Sequence, residues 1–415
     1  MRTYSDLFRV PEFTALFASS GAQVAGQTVS GLALGTLVFG ATGSPLLSSL
    51  AMFGTSFAQV VGALALLSAA DRLPARAALA CTSAVFGVGT AVLALPGLPL
   101  WALFAVLAVL GLASSLSGGV RYGLLGEVLP DEGYVLGRSV LNMAAGTTQI
   151  AGYAAGGVLV ALVSPRGTLL VAAGLYLVAA GTARWGLSAR PARAAGRPSV
   201  GATWRTDVLL WSSAHRRHVY LALWVPNGLI VGCEALFVPY AAHRAGVLFA
   251  TAALGMLAGD TLAGRFVPAR WRARLGAPLR LLLAVPYLVF AARPPLAVGA
   301  AAVLLASVGY AASLLLQEQL VALTPAGSRG HALGLHSSGM LTAQGIGAAL
   351  AGAVAERASA PTAMAVMAAL SVGVTLALAP GLGRARRAAE SPEHRPATDE
   401  VEGAARGPDP AAPTG

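Results

Sequence analysis

Twelve long apolar runs, divided by short polar turns, fill most of the chain. Their approximate spans are 14–40, 46–70, 77–96, 99–120, 139–163, 167–187, 217–242, 246–264, 276–292, 295–320, 332–356 and 361–383. About 20 apolar residues carry a helix across the hydrocarbon core of a bilayer. Each run therefore predicts one membrane-spanning helix, and together they predict an all-α membrane protein with twelve transmembrane helices. The turns carry the expected punctuation: Thr42-Gly43-Ser44-Pro45, Pro96-Gly97, Pro165-Arg166-Gly167 and Arg293-Pro294-Pro295. Residues 1–13 hold Arg2, Asp6, Arg9 and Glu12 ahead of a run too long for a signal h-region. The first run is accordingly expected to be a membrane helix and not a leader.

The longest polar stretch between runs divides six helices from six. This predicts an N-terminal six-helix bundle at 1–187, a linker at 188–216, a C-terminal six-helix bundle at 217–384 and a disordered tail at 385–415. The linker carries Trp204, Val208, Leu209, Leu210 and Trp211 beside Arg205 and Asp207. That composition suits a short helix lying in the headgroup zone. The tail is rich in Pro, Glu, Asp and Gly and has little to bury. The halves also echo each other. Asp71-Arg72-Leu73-Pro74-Ala75-Arg76 returns as Gly264-Arg265-Phe266-Val267-Pro268-Ala269-Arg270, with its arginines 193–194 residues on. Gln149 and Gly152 return as Gln344 and Gly347 at an offset of 195, and Leu136-Gly137 as Leu333-Gly334 at 197. Two pseudo-symmetric halves related by an axis along the membrane normal place a substrate site near mid-membrane, between them.

Composition strengthens this picture. The 415 residues are 56% hydrophobic and 11% charged, with mean hydropathy +0.70. A soluble protein carries about a quarter charged residues. The net charge of +11 comes from 28 basic residues, all arginine. They sit in short segments between runs, so topology accounts for them and nucleic-acid binding is not expected. With a cytoplasmic N-terminus, 24 arginines fall on the inner side and 4 on the outer. The positive-inside rule then puts both termini in the cytoplasm; a multi-pass monomer in the cell membrane is expected. Cys81 and Cys233 lie far apart inside apolar runs, which supports neither a disulfide nor a metal site. His215 and His218 have no cysteine nearby, and no P-loop is present. No cofactor is expected, and no enzyme signature stands out.

The 6+6 arrangement, the basic central linker and the Asp-Arg turn after the second run resemble the major facilitator superfamily. Its loop motif reads Gly-x-x-x-Asp-Arg-x-Gly-Arg-Arg. Asp71, Arg72 and Arg76 match it, while Leu67 replaces the leading Gly, Pro74 stands near the second, and Gly264 replaces the Asp in the second half. The Thr-Gly-Ser-Pro turn and the loop near Leu129-Pro130 are similar to bacterial drug and metabolite exporters. The resemblance implies alternating access. It also implies a cytoplasmic lock in which Asp71 meets Arg121, or the start of the eleventh helix near His331.

Charged and amide side chains inside the runs are the candidate chemistry, because ionised groups in a bilayer are costly and tend to be functional. Glu234 lies about 25 Å along its helix from Arg217, in the outer half of the membrane. Two roles fit it: a cavity acid that takes a proton or a cationic substrate, or a carboxyl hydrogen-bonded to a neighbouring helix. Asn227 stands two turns before it. Gln23 and Gln27 share a face of the first run at i, i+4, and Asn142 and Gln149 share one of the fifth at i, i+7. With Gln344, these amides suit either a ligand-binding cavity or helix–helix contacts. Tyr153, Trp224 and Tyr310 fit as aromatic walls or as packing. Asp260, Glu318 and His336 fall near the cytoplasmic mouth of the second half. They read as a gating network or as separate caps.

The expected function is secondary active transport of small organic molecules, exported in exchange for protons, with Glu234 as coupling acid. Uptake by the same cycle fits as well. A non-transporting receptor or a lipid-linked membrane enzyme on this scaffold would call for clustered acids or histidines in a loop at one surface, and the outer loops here are only a few residues long.

Overall fold

Proline and glycine end the helices where the punctuation predicts. Gly43, with φ +66°, closes the first helix by donating its N–H to Phe39 O at 2.8 Å. Pro45 then opens the second. Ser164 caps the sixth by accepting a hydrogen bond from the Gly167 N–H at 3.1 Å, ahead of Pro165 at the first helical position. Both are standard devices for satisfying or removing the free groups at helix ends.

The computed structural model describes residues 4–53, 55, 56, 58, 59, 62, 74–129, 131–190, 200–241, 244–325 and 328–390, and all secondary structure among them is helical. In chain order the main helices are α1 Pro11–Thr42, α2 Pro45–Phe53, α3 Ala75–Leu93, α4 Leu100–Val128, α5 Asp131–Leu162, α6 Pro165–Gly186, α7 Ala214–Ala235, α8 Ala245–Phe266, α9 Ala269–Ala284, α10 Leu296–Ala322, α11 Arg329–Arg357 and α12 Ala360–Glu390. Short helices at Tyr4–Phe8, Val200–Ser212 and Phe237–Ala241 precede α1, precede α7 and extend α7. Among the described residues, ten helices are long and apolar enough to cross a membrane. The apolar part of α4 is shorter, at Leu100–Ser115, and α2 is continuously described only as far as Phe53. The set is compatible with twelve spans.

Several helices outrun their apolar runs. Hydropathy marks only the length in hydrocarbon, whereas backbone hydrogen bonding continues into the interface. So α5 begins at Asp131 and not at 139, and α9 begins at Ala269, taking in arginines expected in a loop. The helix α12 continues to Glu390, which makes the first residues of the expected disordered tail helical; residues 391–415 lie outside the description. The second half of the ninth run is a 3-10 segment, Val285–Ala292. Another 3-10 turn, Gly309–Ala311, interrupts α10 where a Cβ on Gly309 would strike the α9 backbone at Leu279 and Leu283.

Among the described residues, the twelve main helices pack as two groups, α1–α6 and α7–α12, with matching internal contacts. α1 lies against α5 and α6, and α7 lies against α11 and α12. The groups meet through α2 on α11 and α5 on α8. Adding six to each helix number turns one of these contacts into the other, as a two-fold relation between the halves requires. Repeated glycines do equivalent work. A Cβ on Gly152 would run into Thr28 of α1, and one on Gly347 into the Gly228 carbonyl of α7. Small residues allow this approach, which supplies packing where no hydrophobic effect operates between helices in lipid. Gly347→Val should therefore be costly, about 1–3 kcal/mol or more because backbone on both sides resists overpacking. We expect a lower Tm for the detergent-purified variant. An unchanged Tm would show that the helices separate there at no cost.

Close contacts join the two groups of helices at one end of the assembly. The α5 and α8 backbones cross so closely that a Cβ on Gly246 would stand 2.7 Å from the Gly157 Cα. The Ser44 hydroxyl donates to the Glu356 carboxylate, and the Leu46 N–H donates to the same oxygen at 3.3 Å. The Ser49 hydroxyl donates to the Ala235 carbonyl at 3.4 Å. All these contacts join one six-helix group to the other at the α1–α2 end.

Candidate functional site

Between the groups lies a cavity of about 690 Å³ with walls from both. Alternation of apolar and amide positions on α1 and α5 brings Gln27 and Gln149 to one wall. On the opposite wall, Asn227 and Glu234 stand two turns apart on α7, a spacing that keeps them on one helix face. Gln344 of α11 reaches across, its Nε2 donating to Asn227 Oδ1 at 3.1 Å. The Tyr310 hydroxyl of α10 donates to Glu234 Oε1 at 2.8 Å. Tyr153 closes part of the α5 side and stacks on Phe249 with centroids 4.7 Å apart.

Five of the seven candidate binding residues, Glu234, Asn227, Gln27, Gln149 and Gln344, thus face one space. Gln23 sits a turn from Gln27 and lines a separate small cleft with Ser20, Ser83 and Arg121, where its Oε1 accepts the Ser83 hydroxyl at 3.0 Å. The Asn142 side chain lies outside the described residues. The charged side chains among the described lining are Glu234 and Asp260, both acids, and no ion pair to either is formed among the described residues.

The gating candidates are more scattered. Asp260 lines the cavity. Glu318 is exposed and pairs with Arg272 at 3.3 Å. Arg272 also donates to the Gly264 and Val267 carbonyls at 2.9 and 3.0 Å, tying down the second Pro-Ala-Arg turn. His336 is buried. No hydrogen bond or ion pair joins Asp260, Glu318 and His336 among the described residues. Asp71 and Arg72 lie outside the described residues, and with them the expected lock. Arg76 is half-buried at the start of α3, and Arg121 is half-buried on α4. His331 pairs with Asp207 of the linker helix, Nε2 to Oδ1 at 2.7 Å. That helix also stacks Trp211 on Trp224, rings 9° apart, and Trp224 donates its Nε1–H to the His336 carbonyl at 3.0 Å and is not a cavity wall.

One buried charge escapes the pattern of apolar runs. Arg280 falls four residues inside the ninth run, and a count of arginines by segment places it with those just before that run. In the structure it is 0% exposed, among α7, α9 and α10. The signal was an arginine inside an apolar run, masked by Arg270, Arg272 and Arg274 just before it. A groove between α3 and α4, lined by Val85, Val88, Val106 and Val109 without a polar side chain, faces outward and reads as lipid-facing surface.

The family model described as Major Facilitator Superfamily matches residues 16–311. Among solved structures, the nucleoside transporter NupG is similar at TM-score 0.76 and 13% identity, covering 89% of this chain and 99% of that one. A POT family transporter in complex with a thioalcohol-conjugated peptide is similar at TM-score 0.73 and 12% identity, covering 90% and 96%. Another, in complex with 5-aminolevulinic acid, gives 0.73 and 11%, covering 90% and 96%. None of the curated protein sequences matches this chain. At these identities the neighbours establish the fold, and the family match spans well over half of the chain. With its cavity enclosed between two six-helix groups, the chain belongs to the Major Facilitator Superfamily and is a secondary transporter, not an enzyme.

Proposed function

We propose that this transporter exports small organic molecules in exchange for protons by alternating access, with Glu234 as the acid that carries the proton. The observation behind this reading is the Glu234 carboxylate, placed in the cavity wall, held by a phenol and free of any described ion pair. A carboxylate in such a place favours a proton or a ligand cation in turn. Gln27, Gln149, Asn227 and Gln344 supply amide donors and acceptors around the ligand. A scaffold of this shape accommodates small organic solutes in the solved neighbours, which include complexes with a conjugated peptide and with 5-aminolevulinic acid.

The contacts at the α1–α2 end support an inward-facing state, with that end extracellular and both termini cytoplasmic. Moving Arg280 into the membrane leaves the arginine split at 23 to 4, which supports the same orientation. The test is purified protein in vesicles carrying an imposed pH gradient, with candidate compounds followed across the membrane. Accumulation should vanish when a protonophore collapses the gradient. Accumulation that survives the collapse would rule out proton coupling.

A further inference from the structure

The chain carries 28 arginines against 17 acidic residues, yet the cavity between its halves reverses that balance. The described lining holds Glu234 and Asp260 and no arginine or histidine. Arg121, half-buried on α4, lines two smaller clefts. Arg280 is wholly buried and meets the wall from behind, its Nη2 donating to Ser313 Oγ at 3.0 Å. Counting that guanidinium against the two carboxylates still leaves one negative charge in excess. Between low-dielectric walls such a charge acts more strongly than in water and gathers ions of opposite sign.

Both acids belong to the second half and stand beside one stretch of α10. The Tyr310 hydroxyl donates to Glu234 Oε1 at 2.8 Å. A Cβ on Gly259, the residue before Asp260, would strike the Val308 carbonyl, two residues before Tyr310. Asp260 is exposed and forms no hydrogen bond or ion pair among the described residues. The first half contributes a different wall. Its described lining has no carboxylate and no base, and Leu93, Leu107, Leu110 and Leu169 come forward from α3, α4 and α6. Phe86 and Tyr176 join them, their rings 5.2 Å apart between centroids. An apolar wall facing a few fixed charges orients a ligand that has one end of each kind.

We propose that the substrate is a monovalent organic cation with an apolar body, its charge taken by Glu234 and Asp260 and its body lodged against α3, α4 and α6. This deepens the transport reading above and rests on the same cavity, though not on the proton. Glu234 serves exchange, because the proton and the substrate cation compete for it, and Asp260 serves recognition. Aromatic faces in the wall favour a cation further. An anion of the same shape is refused.

The experiment uses the full chain in detergent and reads ligand-induced shifts in Tm. Two probes of one shape and opposite sign, tetraphenylphosphonium and tetraphenylborate, isolate the charge. The phosphonium should stabilise the protein at a concentration at least about tenfold below that of the borate. Tetramethylammonium, which has the charge but little apolar body, should need at least about tenfold more than the phosphonium. Asp260→Asn and Glu234→Gln should each raise the phosphonium concentration about threefold or more. The exposed Asp260 makes Asp260→Asn the variant to rely on if Glu234→Gln fails to fold. Phe86→Ala should weaken the phosphonium and leave tetramethylammonium unchanged. A borate that matches the phosphonium, or phosphonium binding unchanged in both acid variants, overturns the proposal. Phosphonium carried across vesicles after the pH gradient is collapsed would remove proton coupling and leave this inference standing. Proton-driven transport of neutral or anionic compounds alone would do the reverse.

Discussion

Glu234→Gln protein is expected to equilibrate its substrate across a membrane but not to concentrate it. Glutamine keeps the shape of the side chain, and its carbonyl still accepts the Tyr310 hydroxyl, so the wall of the cavity should hold. It cannot release or take up a proton in this cycle. With one-for-one exchange, a pH difference of one unit is worth about 1.4 kcal/mol, which sustains roughly a tenfold concentration ratio. Vesicles with the native chain should approach that ratio, and those with the variant should stop near unity. Substrate–substrate exchange without a gradient should continue in both. A variant that still concentrates substrate tenfold would move the coupling acid elsewhere, and Asp260, the other carboxylate of the cavity wall, would be the next residue to change.

The second large effect is expected at the closed end. A side chain on Gly246 would meet the Cα of Gly157 and, at 3.1 Å, the carbonyl of Tyr153. Both obstacles are backbone, so neither can swing aside. Gly246→Leu should drive α5 and α8 apart and penalise the closed end by about 1–3 kcal/mol. Near the upper value, the balance between closed and open shifts roughly a hundredfold. A cysteine placed at Gln27, in a background without Cys81 and Cys233, gives the readout. A membrane-impermeant maleimide added on the α1–α2 side should label it at least tenfold faster in the Gly246→Leu protein. Equal labelling would mean that this crossing does not close the cavity.

Much of the fold could be read from the sequence, because in lipid the backbone has to form helices and the apolar runs report their length. Helix ends were less legible, as α5 and α9 show, since the interface tolerates charged helical turns. At the site, Glu234, Asn227 and Gln344 stood out as polar groups in apolar runs, and the structure gathers them. Gln23 satisfied the same rule as Gln27. One turn along α1, however, changed its neighbours to Ser83 and Arg121. Tyr310 was visible only as a possible wall, because its role depends on bringing α10 onto α7, 76 residues away. Arg280 was hidden by the arginines beside it. Counting charges by segment assigns each to a side of the membrane, and it overlooks one that is drawn inside.

The Gly157–Gly246 crossing has a consequence for how such a protein diversifies. A seal made of two backbones has no side chains with which to recognise cargo, so it closes in the same way over any molecule that fits. Under the function proposed above, recognition falls to the cavity wall, where residues such as Gln27, Gln149 and Gln344 can be exchanged without disturbing closure. Tolerance to substitution should then run opposite to that of many enzymes. On that reading, substitution should be better tolerated at the cavity amides than at Gly157 and Gly246, whose backbones cross.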